Sequence, residues 1–297
     1  MYKSFQEILR QCEISGSPFW RVVLREDCME TGMTQMQSIR KMQEIYTAMR
    51  ESDENYDASL YSASGLVGTD AAKIRARREQ GSLMCGDFTA KVMERALRVA
   101  ESNACMRRIV AAPTAGSCGV MPAVLLSMQE RYDYPEDLMV EALYVAAGIG
   151  GVIAQRASLS GAEGGCQAEI GSASGMAAGA AVFLLGGTQY QIADACAIAL
   201  ASLLGLVCDP VAGLVEVPCV KRNVIGAMNA VTSADMAMAG ITSRIPADEV
   251  IDAMRTVGHS MSMDLRETGR GGLAGTPTGR RIRRSVQKDA HREQDAE

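Results

Sequence analysis

Three short segments bring reactive side chains beside residues that force turns. Residues 112–125 read APTAGSCGVMPAVL, residues 161–180 read GAEGGCQAEIGSASGMAAGA, and residues 208–223 read CDPVAGLVEVPCVKRN. Gly164-Gly165 lets backbone come close to whatever Cys166 holds. Asp209-Pro210 is expected to end a helix and Pro218-Cys219 to begin the next, which would put the Cys208 and Cys219 thiols at loop–helix junctions. A cysteine at a helix N-terminus has a depressed pKa and makes a better thiolate ligand. Spacing alone is weak support, because an unpaired cysteine is more often a small buried hydrophobe.

Other chemistries find little to work with. Only two histidines occur, His259 and His291, which argues against a zinc hydrolase or a Ser-His-Asp triad within the chain. No C-x-x-C pair offers a thioredoxin-type site or a common zinc ribbon. Gly148-Ile-Gly-Gly-Val-Ile fails the dinucleotide fingerprint, since Ile153 holds its last position and no strand precedes it. Six lysines (Lys3, Lys41, Lys73, Lys91, Lys221 and Lys288) leave few candidates for a pyridoxal phosphate Schiff base.

The elements that must position these groups read as helices. Phe5, Ile8, Leu9 and Cys12 mark an amphipathic first helix. Pro135 opens a second candidate, with Glu136 and Asp137 at its positive end. Thr188 can cap the apolar run 189–206, and Pro246 starts a helix through Val257. Aromatics are 4% of the chain and no alternating β-branched run occurs, so the expected fold is all-α. Glycines crowd residues 145–187, which implies loops against a ligand or helices packed very close. The nineteen methionines read as adaptable core filler.

The chain has 297 residues and a net charge of −5, so nothing suggests a nucleic-acid surface. Residues 1–13 lack the pattern of a secretory signal, which with nine cysteines points to a cytoplasmic, reducing setting. The uncharged stretch 170–193 is too polar and too broken at Gly186-Gly187 for a membrane span. The expected organisation is an N-terminal helical segment (1–60), a helical domain carrying the chemistry (61–279) and a charged, disordered tail (280–297). In that tail Arg280, Arg281, Arg283 and Arg284 could alternatively form an anion or partner patch.

With SGLVGTDAAKI (64–74) before them and MDLRETGRGGLAGTPTGR (263–280) after, the three segments resemble the alpha chain of two-subunit bacterial iron–sulfur L-serine dehydratases. The five motifs run in order over residues 60–280. One departure is Arg107-Arg108, where that family usually shows a glycine. The resemblance implies a [4Fe–4S] cluster on Cys166, Cys208 and Cys219, with one iron left open to act on the hydroxyl of L-serine. It further implies a separate beta chain, docking partly on the first 60 residues, with a Ser-Ser-His-Thr segment that completes the site. Lys73 is the candidate base here if burial strips its proton. Thr114 and Ser117 of the turn, or Arg222, would take the substrate carboxylate, and Glu163 or Asn223 the ammonium. Cys118 could be a fourth ligand, although packing or pocket lining is favoured.

Two other readings stay open at this point. One is a pyridoxal phosphate serine dehydratase. The other is a helical subunit whose cluster has four thiolate ligands and is structural or redox-active, closed to substrate.

Overall fold

Small side chains decide the centre of this fold. The computed structural model describes residues 2–294, the side chains of 289–294 excepted. In chain order the helices are α1 (Phe5–Ser15), α2 (Phe19–Thr31), α3 (Gln35–Glu54), α4 (Asp70–Glu79) and α5 (Asp87–Ala104). Then come α6 (Val120–Tyr132), α7 (Glu136–Arg156), the single turn α8 (Gly161–Gly164) and α9 (Ser172–Leu184). The last four are α10 (Gln189–Ser202), α11 (Cys219–Met238), α12 (Ala247–Ser260) and α13 (Pro277–Gln294). No strand occurs among the described residues, only an isolated parallel bridge between Cys208 and Arg266, so the all-α expectation holds.

Helix α9 is the axis. It packs against α6, α7, α10 and α11, and nearly every one of its residues is buried. Its sequence, SASGMAAGAAVFL, leaves room for neighbours to approach. A Cβ at Gly175 would stand 3.1 Å from the Cys196 sulfur, and one at Gly179 would overlap the end of Ile149. Part of the glycine crowding is therefore helix packing.

Local signals set the helix ends. Thr188 and Gln191 form a reciprocal capping box at the start of α10. Pro135 and Pro246 stand at the N-caps of α7 and α12, each followed by two acidic residues in the first turn. Phe5, Ile8 and Cys12 are the buried face of α1. Helix α4 has no side-chain cap of its own. Glu101 of α5, fully buried, supplies one by accepting from Asp70 N (2.7 Å) and Ala71 N (3.4 Å), and it also takes the Tyr56 hydroxyl (2.7 Å).

Phe5, Phe19, Leu24 and Tyr46 join the same core as α6–α11. The stretch 170–193 is divided between α9 and α10. The one helix among the described residues long and apolar enough to cross a membrane is instead α7, and most of it is buried against its neighbours. The charged tail is helical at least to Gln294, with Arg280, Arg281, Arg283 and Arg284 exposed as expected. Its start is anchored by Gly279, whose N–H donates to the Thr276 hydroxyl (3.1 Å).

Because α9 meets α7 and α10 without space for added atoms, Gly179→Val should cost about 1–3 kcal/mol of stability. A drop in the thermal midpoint of the purified chain checks this, and an unchanged midpoint would show that the contact yields freely.

Candidate functional site

Three cysteines reach one place from three separate pieces of backbone. Cys166 follows α8 and Gly165, whose positive φ of 74° and contact with Leu206 O leave no room for a side chain. Next to it, the buried Gln167 donates to Met254 O (2.9 Å) and accepts from Gly205 N (2.8 Å), while its own N–H reaches Leu206 O (2.9 Å). Cys208 is held through its backbone: its N–H donates to Leu265 O (2.8 Å) and its carbonyl accepts from Glu267 N (2.8 Å). Cys219 is the first residue of α11 and follows the cis Val217–Pro218 bond. The expectation of two loop–helix junctions is thus correct for Cys219 alone. Helix α10 ends at Ser202, and Cys208 lies beyond it on the bridge to Arg266.

All three thiols are buried, and they feel one another. Burial pushes Cys166 and Cys219 up to about 12, against the usual expectation for a helix N-terminus at Cys219. Cys208 is raised as well, first by burial, then by the negative charges of Cys166, Glu169, Glu267 and Cys219. The opposing influence is Arg222, which hydrogen-bonds the Cys166 sulfur and favours the thiolates of Cys166 and Cys219. Among the described residues no set of three His, Cys, Asp or Glu side chains closes around a single metal ion. The three thiols influence one another electrostatically, with Arg222 beside them, and soft sulfur donors of this kind suit an iron–sulfur centre.

Cys118 does not join these three. It is fully buried, its sulfur faces Val99 O of α5 (3.8 Å), and burial alone pushes it up to about 12. Packing is its observed role. Cys196 is likewise enclosed, between α9 and α10.

Around the three cysteines, the predicted polar residues fall into different roles. Thr114 and Ser117 form a tight turn after the cis Ala112–Pro113 bond, with Thr114 N donating to Ser117 Oγ (3.3 Å). Thr114 Oγ1 donates to Glu169 Oε1 (2.8 Å), and Glu169 Oε2 lies 3.9 Å from the Cys208 sulfur. Glu169 was not singled out from the sequence. It sits in a π-helical turn, Gln167–Gly171, and burial raises its pKa above the ordinary carboxylate value. One signal could have found it: it stands three residues after Cys166, so a helical turn places both on one side.

Four predicted residues are exposed or already engaged within the chain. Arg222 does not face an open pocket; Nη1 donates to Val207 O (2.8 Å) and Nη2 pairs with the buried Asp209 Oδ1 (2.8 Å). Asn223 has no free amide for substrate: Oδ1 accepts from Gly119 N (2.8 Å), and Nδ2 donates to Gly116 O (2.9 Å) and Cys219 O (3.0 Å). Glu163 is exposed and lines a small recess with Arg255 and His259. Lys73 has an exposed side chain (70%) and pairs with Asp70 (2.6 Å), which raises its pKa instead of stripping its proton.

The outlying motifs serve the three cysteines. Glu216, between Cys208 and Cys219, accepts from the hydroxyls of Ser62 (2.9 Å) and Ser64, tying SGLVGTD to the cysteine loop. Asp209 Oδ2 accepts from Leu273 N (2.7 Å) and so holds the segment 263–280.

A profile of the family described as "Serine dehydratase alpha chain" matches residues 15–274. The probable L-serine dehydratase alpha chain of Bacillus subtilis (strain 168) is 45% identical over 286 residues, 96% of this chain and 95% of that protein. The L-serine dehydratase alpha chain of Peptoniphilus asaccharolyticus is 43% identical over 290 residues, covering 97% and 99%. The L-serine dehydratase of Mycobacterium tuberculosis (strain CDC 1551 / Oshkosh) is 46% identical over 185 residues, covering 60% of this chain but 40% of that longer protein.

Two outcomes follow from the geometry. Asn223→Ala leaves Gly119 N and the Cys219 carbonyl without their buried partner, so about 2–4 kcal/mol of stability should be lost, read as the urea midpoint. In the metal-free chain, folded-state thiols raised toward 12 stabilise fully below about pH 9, and that contribution is lost as pH rises through the folded values. The urea midpoint of metal-free protein should fall between about pH 8 and about pH 10. A flat or rising midpoint would contradict the buried-thiol geometry.

Proposed function

The chain belongs to the serine dehydratase alpha chain family, and from that membership we propose that it deaminates L-serine to pyruvate and ammonia, using a [4Fe–4S] cluster held by Cys166, Cys208 and Cys219. The observation that carries this reading is the meeting of those three buried thiols beside the Thr114 turn and Glu169. When bound, the cluster supplies an iron with an open coordination position, a Lewis acid for the β-hydroxyl that must leave.

The chain's own residues do the rest of the positioning. Arg222 offsets part of the burial that opposes ionisation of Cys166 and Cys219, and so favours the thiolates that would ligate. Asn223 fixes the distance between the Thr114–Ser117 turn and the first turn of α11. Backbone N–H groups of the Thr114–Ser117 turn take the substrate carboxylate, while the Thr114 hydroxyl is kept on Glu169. Loss of the α-proton and of hydroxide gives an enamine, which tautomerises to an imine and is hydrolysed in water to pyruvate and ammonia.

The α-proton acceptor is assigned to a beta chain, through the Ser-Ser-His-Thr segment that the family resemblance implies. The place proposed for Lys73 does not suit a base, since Asp70 holds its proton on. A partner is also consistent with relatives such as the Mycobacterium tuberculosis protein, most of whose length lies outside the match. All nine cysteines are free thiols, as a reducing cytoplasmic setting would have them.

Anaerobic purification of the variants Cys166→Ala, Cys208→Ala, Cys219→Ala, Cys118→Ala and Cys196→Ala, with iron per chain and pyruvate formation measured on each, tests this. The first three should lose most of the iron and all serine deamination. Cys196→Ala and Cys118→Ala should keep iron and cost under about 2 kcal/mol in packing. Loss of the cluster in Cys118→Ala would make it a fourth ligand and overturn the open-iron reading.

A further inference from the structure

Glu169 is a carboxylate largely withdrawn from water that has no cationic partner among the described residues. Its neighbours are the Thr114 hydroxyl at 2.8 Å and the Cys208 sulfur at 3.9 Å, and the charge of Glu267 adds repulsion from the same side. Arg222 is committed to Val207 O, Asp209 and Cys166. Lys73 and Lys221 both pair with Asp70. Among the described residues no ion pair includes Glu169. A buried charge in that condition is costly unless something positive completes it.

The surroundings are built to keep the carboxylate in place. A Cβ on Gly116 would come 3.1 Å from Oε1, and a Cβ on Gly161 2.7 Å from Oε2 and 3.1 Å from the Cys208 sulfur. Both glycines therefore leave space that Glu169 fills, and the Thr114 hydroxyl orients it. An α-amino acid carries its ammonium and carboxylate on one carbon, so the groups that receive them must be neighbours. Thr114, in the turn that faces the substrate carboxylate, and Glu169 are neighbours.

We propose that Glu169 binds the α-ammonium group of the substrate, which makes it the residue that selects amino acids over hydroxy acids. This rests on the reading of the site as a serine-deaminating centre. Glu169 takes the place that the sequence had suggested for Glu163, which faces solvent beside His259 and Arg255.

The test uses the loaded enzyme, purified anaerobically with its partner chain, as wild type and as Glu169→Gln, Glu169→Asp and Glu163→Gln. Three quantities are read: iron per chain, KM and kcat for L-serine, and calorimetric binding of L-glycerate. Glycerate keeps the carboxylate and the hydroxymethyl group but replaces the ammonium with a neutral hydroxyl. Glu169→Gln should keep its iron, raise KM for serine by about tenfold to a hundredfold and lower kcat less. Its glycerate affinity should stay within about twofold of wild type or improve, since a buried anion has been removed. Glu169→Asp should recover part of the serine affinity, and Glu163→Gln should match wild type.

Equal weakening of serine and glycerate in Glu169→Gln overturns the proposal, because the residue would then only shape the site. Loss of iron in that variant overturns it too, by making Glu169 a support of Cys208. A wild-type enzyme without iron or without pyruvate formation fails differently, and sinks the underlying reading of the site.

Discussion

Three thiols that bury one another's charge are the constraint on which the architecture depends. Each resists ionisation because water is excluded, and Cys208 is further opposed by its two companions and by Glu169 and Glu267. Such a ring is stable as neutral thiols or as thiolates bound to cationic metal, with little in between. Arg222 tips that balance from behind, and it can do so because Asp209 and the Val207 carbonyl fix its guanidinium against the sulfurs. The helices are arranged so that nothing in the ring can drift. Cys166 is fixed through Gln167, Cys208 through the bridge to Arg266, and Cys219 through Asn223.

This explains why segments remote in sequence belong together. The loop before α4 contributes no group to the ring, yet Ser62 and Ser64 clasp Glu216 within the loop joining Cys208 to Cys219. Helix α4 is in turn held by Glu101 at its N-terminus, so α5 supports the clasp from below. On the other side Leu273 closes over Asp209. A polar network of this kind is specific because each member is a buried donor or acceptor that loses its partner if the loop moves.

The helical fold was legible because its signals are local: a Thr188–Gln191 capping box, prolines at two N-caps, and a small-residue run that becomes α9. The glycines and prolines beside the three cysteines gave only weak support, and it was the family resemblance that implied a shared ligand role. What the sequence could not display was direction. Residues 161–169 offer two glutamates, and only the folded π turn decides that Glu169 faces the sulfurs while Glu163 faces water. Arg222 and Asn223 looked equally able to meet a substrate, but Arg222 is held by the Asp209 carboxylate and the Val207 carbonyl, and Asn223 by the backbone of Gly116, Gly119 and Cys219. Lys73 was the opposite case: Asp70 stands three residues earlier on the same helix face, so its ion pair was readable from spacing.

The proposed site has one cluster held by these three sulfurs and by no fourth thiolate of this chain. Anomalous scattering at the iron edge, from crystals of the anaerobically prepared enzyme, tests it most directly. One compact iron peak bonded to the sulfurs of Cys166, Cys208 and Cys219 is expected. Iron bound elsewhere, or the same peak with Cys118 as a further ligand, would contradict it.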